Sequence, residues 1–479
     1  MKEKERDGLK RSIQGNEDEK ERQKRFILNG NMWKVMLEIS WPAILAMVLY
    51  GLNAVIAAAF VGRYVGEIAL AGVSVAYPLT QISLGIGSLI GVGAGSALSM
   101  AIGRGDVKTQ HRLMGNVNVL TGIATVVYMV FGLLFSTQLL KMVGGEGEAL
   151  LLGDQYFRIT VIGAFFWIYG LAANMIVRAE GKMKSAAVVM GIGLAADILA
   201  NYILVAVLDL GVEGAAWATN IGMTVYTLLG LIYFGKGFSS FKTRAFSLRA
   251  DAAAVKSIVG LGMSSFIMIA MSLLQAVVVF NALARHGTVF DVALYGAIYR
   301  LFTFLLTPIF GLMRALQPVI GMNYGAGQYE RAISAYNLFS LASAVLTLPF
   351  WIVSLAAPDF VLSFMLPDQV FTETQLMYFR IYMAILPFLS LVFMAMTFFP
   401  AIDKGKPAAV IGMARQFVFF VPVMLLLPEW IGVAGVYWGS LGIDAIIVLW
   451  TVIMVKKQFN VFRTGISASL SKPRKTTNF

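Results

Sequence analysis

The chain has 479 residues, of which 58% are hydrophobic and 13% are charged, about half the charged fraction of a typical soluble domain. Its formal net charge of +12 does not indicate nucleic-acid binding, because the basic residues fall in short loops and tails rather than on one soluble surface. The absence of cysteine excludes disulfides, thiolate metal sites and cysteine nucleophiles.

The first 33 residues mix acidic and basic side chains with few apolar ones. Such a segment buries too little surface to fold alone, so we predict a disordered cytoplasmic tail over residues 1–33. A short amphipathic surface helix is the alternative. No cleavable signal peptide is predicted, because the apolar segment that follows is long enough to remain in the membrane.

Twelve apolar segments, each bounded by charged residues, Gly or Pro, follow this tail. Each is long enough to cross a bilayer as a helix. The predicted helices cover residues 34–61, 68–101, 113–140, 155–179, 185–208, 214–235, 254–284, 292–322, 332–357, 374–400, 408–428 and 431–455. We therefore predict an all-α polytopic membrane protein with both termini on one side.

The distribution of basic residues predicts the orientation. Most of the 38 lysines and arginines fall in the tails and in alternate loops, including the loop at residues 178–184. Only Arg63, Lys141 and Arg285 fall in the opposite loops. The positive-inside rule then places both termini in the cytoplasm, and we predict a multi-pass protein of the plasma membrane.

An internal repeat divides the chain. Tyr-Phe-Arg-Ile at residues 156–159 recurs 222 residues later at 378–381, and residues 185–188 match 407–410 at the same offset. Similar pairs are 103–106 with 325–328 and 211–217 with 432–438. Several matches at nearly one offset indicate duplication of a six-helix unit.

The repeat predicts two homologous six-helix lobes, at residues 34–235 and 254–456. They are joined by a basic cytoplasmic linker at 236–253 and followed by a cytoplasmic tail at 457–479. Because each unit has an even number of helices, the lobes are related by a pseudo-two-fold axis along the membrane normal. This symmetry is typical of transporters that alternate access by rocking two bundles around a central site.

Motifs at the repeat positions resemble those of the multidrug and toxic compound extrusion (MATE) family, and the resemblance covers nearly the whole chain after residue 33. They are Trp41-Pro42, Phe60-Val61-Gly62-Arg63, residues 101–106, 174–181 and 214–219, Gln317-Pro318, Asn323-Tyr324-Gly325-Ala326 and residues 435–444. The resemblance implies two V-shaped lobes around a central cavity. It also implies outward passage of cationic amphiphiles, driven by inward H⁺ or Na⁺ without any other cofactor.

Asp197, inside an apolar helix, is the candidate for cation coupling, because ionisable residues within the membrane are functional by default. A desolvated carboxyl group takes up a proton more readily than one in water. Asn201 lies one turn on, on the same face. The resemblance implies that Asn174 and Thr219 complete the cluster; the family's acid in the first helix is missing, with Ala57 at the matching position. A structural hydrogen-bonding role for Asp197 is the alternative.

Two arginines of the eighth predicted helix are candidates for the substrate cavity. Arg300 and Arg314 are 14 residues apart, about four turns, and so lie roughly on one face. They could attract an anionic group or pair with Asp444 of the twelfth helix, or one could extend to the membrane interface. The other cavity candidates are Gln317, Tyr299 and Met313.

A run of glycines in the second predicted helix, at 85, 87, 91, 93 and 95, superficially matches a dinucleotide-binding loop. That loop follows a strand, whereas this run lies within an apolar helix. Small residues at this spacing let helices approach closely, so we predict a packing surface.

Taken together, these features predict an H⁺- or Na⁺-coupled exporter of small organic molecules that functions in the bilayer as a monomer. A flippase for a lipid-linked saccharide is the alternative, in which Arg300 and Arg314 would hold a pyrophosphate. A membrane enzyme would need a cluster of His, Asp or Glu at a membrane face, and a channel would need a repeated filter segment. The sequence shows neither feature.

Overall fold

The computed structural model describes residues 21–470 apart from residues 242, 244, 364–365 and 367–368. No strand occurs in this part of the chain. Residues 21–29 are helical, and the fully buried Ile27 accepts a hydrogen bond of 3.1 Å through its carbonyl oxygen from Arg331. The prediction of disorder is therefore wrong for this stretch, and residues 1–20 and 471–479 of the predicted tails lie outside the described residues.

The described residues contain twelve helical segments that are long and apolar enough to span a membrane, as predicted, if the bent fourth segment is counted as a single span. They are α1 Met32–Val65, α2 Glu67–Arg104, α3 Val107–Leu134, α4 Gly147–Ile162 with Ala164–Ala179, α5 Met183–Val207, α6 Gly211–Gly235, α7 Ala252–His286, α8 Phe290–Gly325, α9 Tyr329–Ala356, α10 Glu373–Ala401, α11 Gly405–Ile431 and α12 Ala434–Thr464. The last helix continues to Leu470, well into the predicted tail.

Local sequence explains where these helices bend and end. The two halves of α4 meet at Gly163 with a bend of 56°, and Pro387 opens the second half of α10, where a missing N–H is tolerated. Gly105 ends α2 in the left-handed region at φ 72°, which suits glycine. Asp106 then caps α3 by accepting a 3.1 Å hydrogen bond from the backbone N–H of Thr109.

Helices α1–α6 form the N lobe and α7–α12 form the C lobe. The lobes meet where α2 packs on α7 without intervening side chains. A Cβ added to Gly93 would lie 1.9 Å from the carbonyl oxygen of Ile258, and one added to Gly262 would lie 1.8 Å from that of Leu89. The glycine run is therefore a packing surface, as predicted. These contacts lie toward the end of the bundle at which α2 ends and α7 begins, here called the linker face.

The linker between the lobes is bound to the N lobe. The Asn118 side-chain amide donates to the carbonyl oxygens of Ala245 and Ser247 at 2.8 and 2.9 Å. Farther along, the backbone N–H of Asp251 donates to the side-chain oxygen of Asn116 at 2.7 Å. These contacts fix the path of the chain between the two lobes.

Glu180, which follows α4, anchors the start of the linker. Its carboxyl group is 2% exposed and accepts hydrogen bonds from the backbone N–H and the hydroxyl of Ser240. Burial raises the pKa of Glu180 to about 7, although the hydrogen bonds from Ser240 and the charge of Lys182 oppose this shift. The linker anchor therefore titrates near neutral pH.

We expect Glu180→Gln to reduce the pH dependence of stability. Because the pKa of Glu180 is higher in the folded chain than its ordinary value of 4.5, its stabilising contribution is full below pH 4.5 and is lost as the pH rises through about 7. Between pH 5.5 and 8 the native protein should lose about 2 kcal/mol relative to the variant. Melting temperatures of both purified proteins across this range test the expectation; parallel curves would contradict it.

Candidate functional site

A cavity of about 130 Å³ lies mainly within the N lobe, between α1, α2, α4, α5 and α6, and reaches Ile269 of α7 and Arg314 of α8. We call it the N-lobe cavity. Most of its wall is apolar, and four of the lining side chains are the flexible thioethers of Met47, Met175, Met190 and Met223. The polar lining groups include Asp197, Asn53, Ser88, Thr219, Arg178 and Arg314.

Asp197 is 5% exposed and is held by two amides. Its Oδ2 accepts a 2.7 Å hydrogen bond from Asn53 Nδ2, and its Oδ1 accepts one of 3.0 Å from Asn201 Nδ2. Within the described part of the chain, the Oδ1 atoms of both asparagines are buried without a hydrogen-bond partner. One carboxylate therefore lies beside two free amide oxygens, and such oxygens are the ligands that hard cations prefer.

Tight packing fixes the position of this carboxylate. A Cβ added to Gly222 of α6 would lie 2.5 Å from the Asp197 Cβ, so α6 approaches α5 as closely as glycine permits. On α1 it is Asn53, one turn before Ala57, that contacts the carboxylate. The acid that the family resemblance implies at the position of Ala57 is missing, and an amide one turn earlier contacts Asp197 instead.

The structure separates the other two predicted members of the cluster. Thr219 lines the same cavity as Asp197. Asn174 instead donates to the carbonyl oxygen of Ala186 at 2.8 Å and accepts a 2.8 Å hydrogen bond from Arg178 Nε. Asn174 therefore orients an arginine rather than the candidate coupling carboxylate.

Arg178 and Arg314 are cationic groups of the cavity wall without an acidic partner. Arg178 is 5% exposed; apart from Asn174 it contacts sulfur atoms, with Nη2 at 3.3 Å from Met190 Sδ. Arg314 Nη1 lies 3.8 Å from Met175 Sδ. No carboxylate oxygen of the described residues lies within 4.0 Å of either guanidinium. Arg178 lies in the last turn of α4, within the helix predicted over residues 155–179 and not in the loop at 178–184.

A second cavity, of about 320 Å³, lies largely within the C lobe. Its aromatic lining residues are Phe280, Tyr295, Tyr299, Phe302, Phe310, Tyr382, Phe393 and Phe420. Its charges are an ion pair: Arg415 Nε donates to Asp444 Oδ1 at 2.7 Å and Nη2 donates to Oδ2 at 3.2 Å. Arg415 lies in the π-helical turn Ala414–Val418. Asp444 therefore has its partner on α11, not among the arginines of α8.

The remaining predicted cavity residues are distributed over three environments. Tyr299 lines the C-lobe cavity, whereas Met313 and Gln317 line a small space between the lobes. Gln317 Nε2 donates to the Val92 carbonyl oxygen at 3.0 Å and so links α8 to α2. Arg300 is exposed and is not among the lining residues of these three cavities. The two arginines predicted to share a face thus have different surroundings.

We expect Asp444→Asn to destabilise the fold by about 3 kcal/mol, because it leaves the Arg415 charge buried and unpaired. A double variant, Asp444→Leu with Arg415→Met, should recover most of this loss, since it removes both charges. Denaturation of Asp444→Leu, of Arg415→Met and of the double variant, each compared with the native protein, forms a double-mutant cycle. Additive losses in the double variant would contradict a coupled pair.

Comparison with known proteins gives matches along most of the chain. The MatE family model matches residues 42–203 and 253–426, one segment in each lobe. Multidrug export protein MepA of Staphylococcus aureus strain NCTC 8325 / PS 47 is 25% identical over 446 residues, which cover 91% of this chain and 96% of the relative. The MepA protein of Staphylococcus haemolyticus is 23% identical over 422 residues, with 88% and 93% covered.

Solved structures show the same fold. A crystal structure described as MATE in the bent conformation has a TM-score of 0.86 at 21% identity and covers 92% of this chain and 98% of its own. A structure of the MATE multidrug transporter DinF-BH in complex with R6G has a TM-score of 0.83 at 26% identity, with 90% and 96% covered.

Proposed function

Since this chain belongs to the MatE family of multidrug efflux transporters, we propose that it exports organic amphiphiles in exchange for a cation, H⁺ or Na⁺, bound at Asp197. The observation that carries the proposal is one buried carboxylate beside two unpartnered amide oxygens in the wall of an apolar cavity. A proton or a metal cation there would neutralise a charge that is costly within the membrane.

Coupling follows from the shared cavity. Asp197, Thr219 and the apolar side chains line one space, so a substrate and a cation bound there alter each other's affinity. We propose that the cation occupies this cavity when it is open to one side of the membrane, and that the substrate occupies it when it is open to the other side.

The closed contacts at the linker face support alternating access by rocking of the two lobes. Glycines let α2 contact α7 there, and Gln317 of α8 binds α2. With the orientation expected from the positive-inside rule, the linker face is cytoplasmic, so we propose that the closed face is the cytoplasmic one. One chain contains both lobes, which supports a functional monomer in the plasma membrane.

Transport into inside-out vesicles tests this function. Accumulation of fluorescent cationic, neutral and anionic amphiphiles is followed under an imposed pH gradient and then under a Na⁺ gradient. Accumulation of at least one probe under one gradient supports coupled export and identifies the ion. No accumulation of any probe under either gradient, with the protein shown to be folded in the vesicles, would contradict it.

A flippase for an anionic lipid-like substrate is the second candidate, and the unpaired Arg178 and Arg314 favour it. Gradient-independent movement of a fluorescent lipid phosphate between leaflets would support this alternative. Its absence, together with gradient-driven accumulation of a soluble amphiphile, would favour the exporter.

A further inference from the structure

Two guanidinium groups in the N-lobe cavity have weaker partners than buried cations require. Buried arginines are almost always paired with an acid, yet Arg178 has one amide oxygen and sulfur atoms, and thioether sulfur is a weak acceptor. Arg314 lines the same cavity as Arg178, so the two like charges share one apolar space. The cavity therefore holds two cationic groups that form no ion pair with any side chain of the described residues.

The nearest acids on the same helices and in the same cavity are bound elsewhere. Asp197 has its two carboxylate oxygens on Asn53 and Asn201, and Glu180, two residues beyond Arg178, binds Ser240 of the linker. No acid on α8 pairs with Arg314 in the described residues.

Arg415 shows how this chain pairs a buried arginine with an acid. Its guanidinium makes two hydrogen bonds to the carboxylate of Asp444, the planar two-point geometry that carboxylates and phosphates share. Arg178 and Arg314 make no such two-point contact with a carboxylate of the described residues. Both line a cavity rather than a packed core.

We propose that Arg178 and Arg314 bind the anionic group of an amphiphile, a carboxylate, sulfonate or phosphate, whose apolar part lies against the methionines of the N-lobe cavity. Flexible thioethers adapt to apolar groups of different shape, while guanidinium forks recognise oxyanions. This inference rests on the proposed function and names the chemical class of its substrate.

The position of the two arginines also explains how the anion is released. Arg178 belongs to α4 of the N lobe and Arg314 to α8 of the C lobe, so an anion bound by both bridges the lobes. Rocking of the lobes separates the two guanidinium groups and weakens the site.

Binding of a matched pair of probes tests the proposal. Radiolabelled decanoate and decylamine have the same apolar chain and opposite charges, and both are measured on the full chain purified in nonionic detergent. We expect tighter binding of decanoate, weakened about tenfold by Arg178→Gln or Arg314→Gln. Arg300→Gln is the matched control, because this arginine of the same helix is exposed and should leave binding unchanged.

Several outcomes would overturn the inference: preference for decylamine, equal binding of the two probes, or decanoate binding unaffected by Arg314→Gln. Since Arg178 is also hydrogen-bonded to Asn174 within the N lobe, Arg314→Gln and Arg314→Lys decide the matter if Arg178→Gln fails to fold. The lysine variant keeps the charge and should retain part of the binding.

Competition distinguishes the source of the anion. Displacement of decanoate by decyl phosphate but not by inorganic phosphate supports an amphiphile, whereas displacement by inorganic phosphate at the same concentration overturns the amphiphile and indicates a free-anion site. Binding is measured without an ion gradient, so loss of the anion preference leaves coupled export intact. Conversely, failed accumulation in vesicles leaves the binding result intact.

Discussion

Asp197→Asn is expected to reduce gradient-driven accumulation in inside-out vesicles to the level of vesicles without the protein. The amide has the size of the carboxyl group and can still hydrogen-bond Asn53 and Asn201, but it carries neither a titratable proton nor a negative charge. Coupling is therefore lost while the cavity keeps its shape. Gradient-independent exchange of substrate across the vesicle membrane should persist.

Asp154→Asn is the matched control for this variant. Its carboxylate lies in the same lobe but is bound by Ser136 at 2.6 Å and Arg158 at 2.7 Å, away from the N-lobe cavity. It should keep coupled accumulation. If Asp197→Asn retains gradient-driven accumulation at the native level, the coupling cation is bound elsewhere and Asp197 has a structural role.

Much of the fold could be predicted from the sequence because the bilayer limits the possibilities. A chain crossing hydrocarbon must satisfy its backbone polar groups within helices, so apolar length alone located the twelve spans. Asp197 was found for a similar reason, since an acid in an apolar helix is rare enough to be conspicuous. The glycine run was interpreted correctly because its surroundings excluded a strand.

The details of the candidate site depended on tertiary contacts that one sequence does not contain. The hydrogen bond between Asn53 and Asp197 could not be predicted, because only the packing of α1 on α5 brings the two side chains together. Arg178 lies near a helix end, where it could extend to water or turn inward; Asn174 and Met190 hold it inward. Arg415, which pairs with Asp444, is 29 residues from it, and no local pattern links them.

Gly262→Val is expected to abolish transport by preventing closure at the linker face. A Cβ at this position would lie 1.8 Å from the backbone carbonyl oxygen of Leu89, and a backbone atom cannot move aside as a flexible side chain does. The lobes must then separate where α2 meets α7. Gly260→Val, on the same helix, is the matched control, because a Cβ there meets no atom within 4 Å.

The absence of native cysteine lets a single introduced thiol report this separation. Ser96 is fully buried at the lobe interface and accepts a 3.0 Å hydrogen bond from Gln317, so Ser96→Cys should react slowly with a water-soluble maleimide in the otherwise native chain. Adding Gly262→Val should raise the labelling rate by at least about tenfold, as expected if the buried state is disfavoured by about 1.4 kcal/mol or more, and adding Gly260→Val should not. Unchanged labelling with native transport would show that the close approach of α2 and α7 is not needed for the transport cycle. Faster labelling without transport would show that closing this face is a required step.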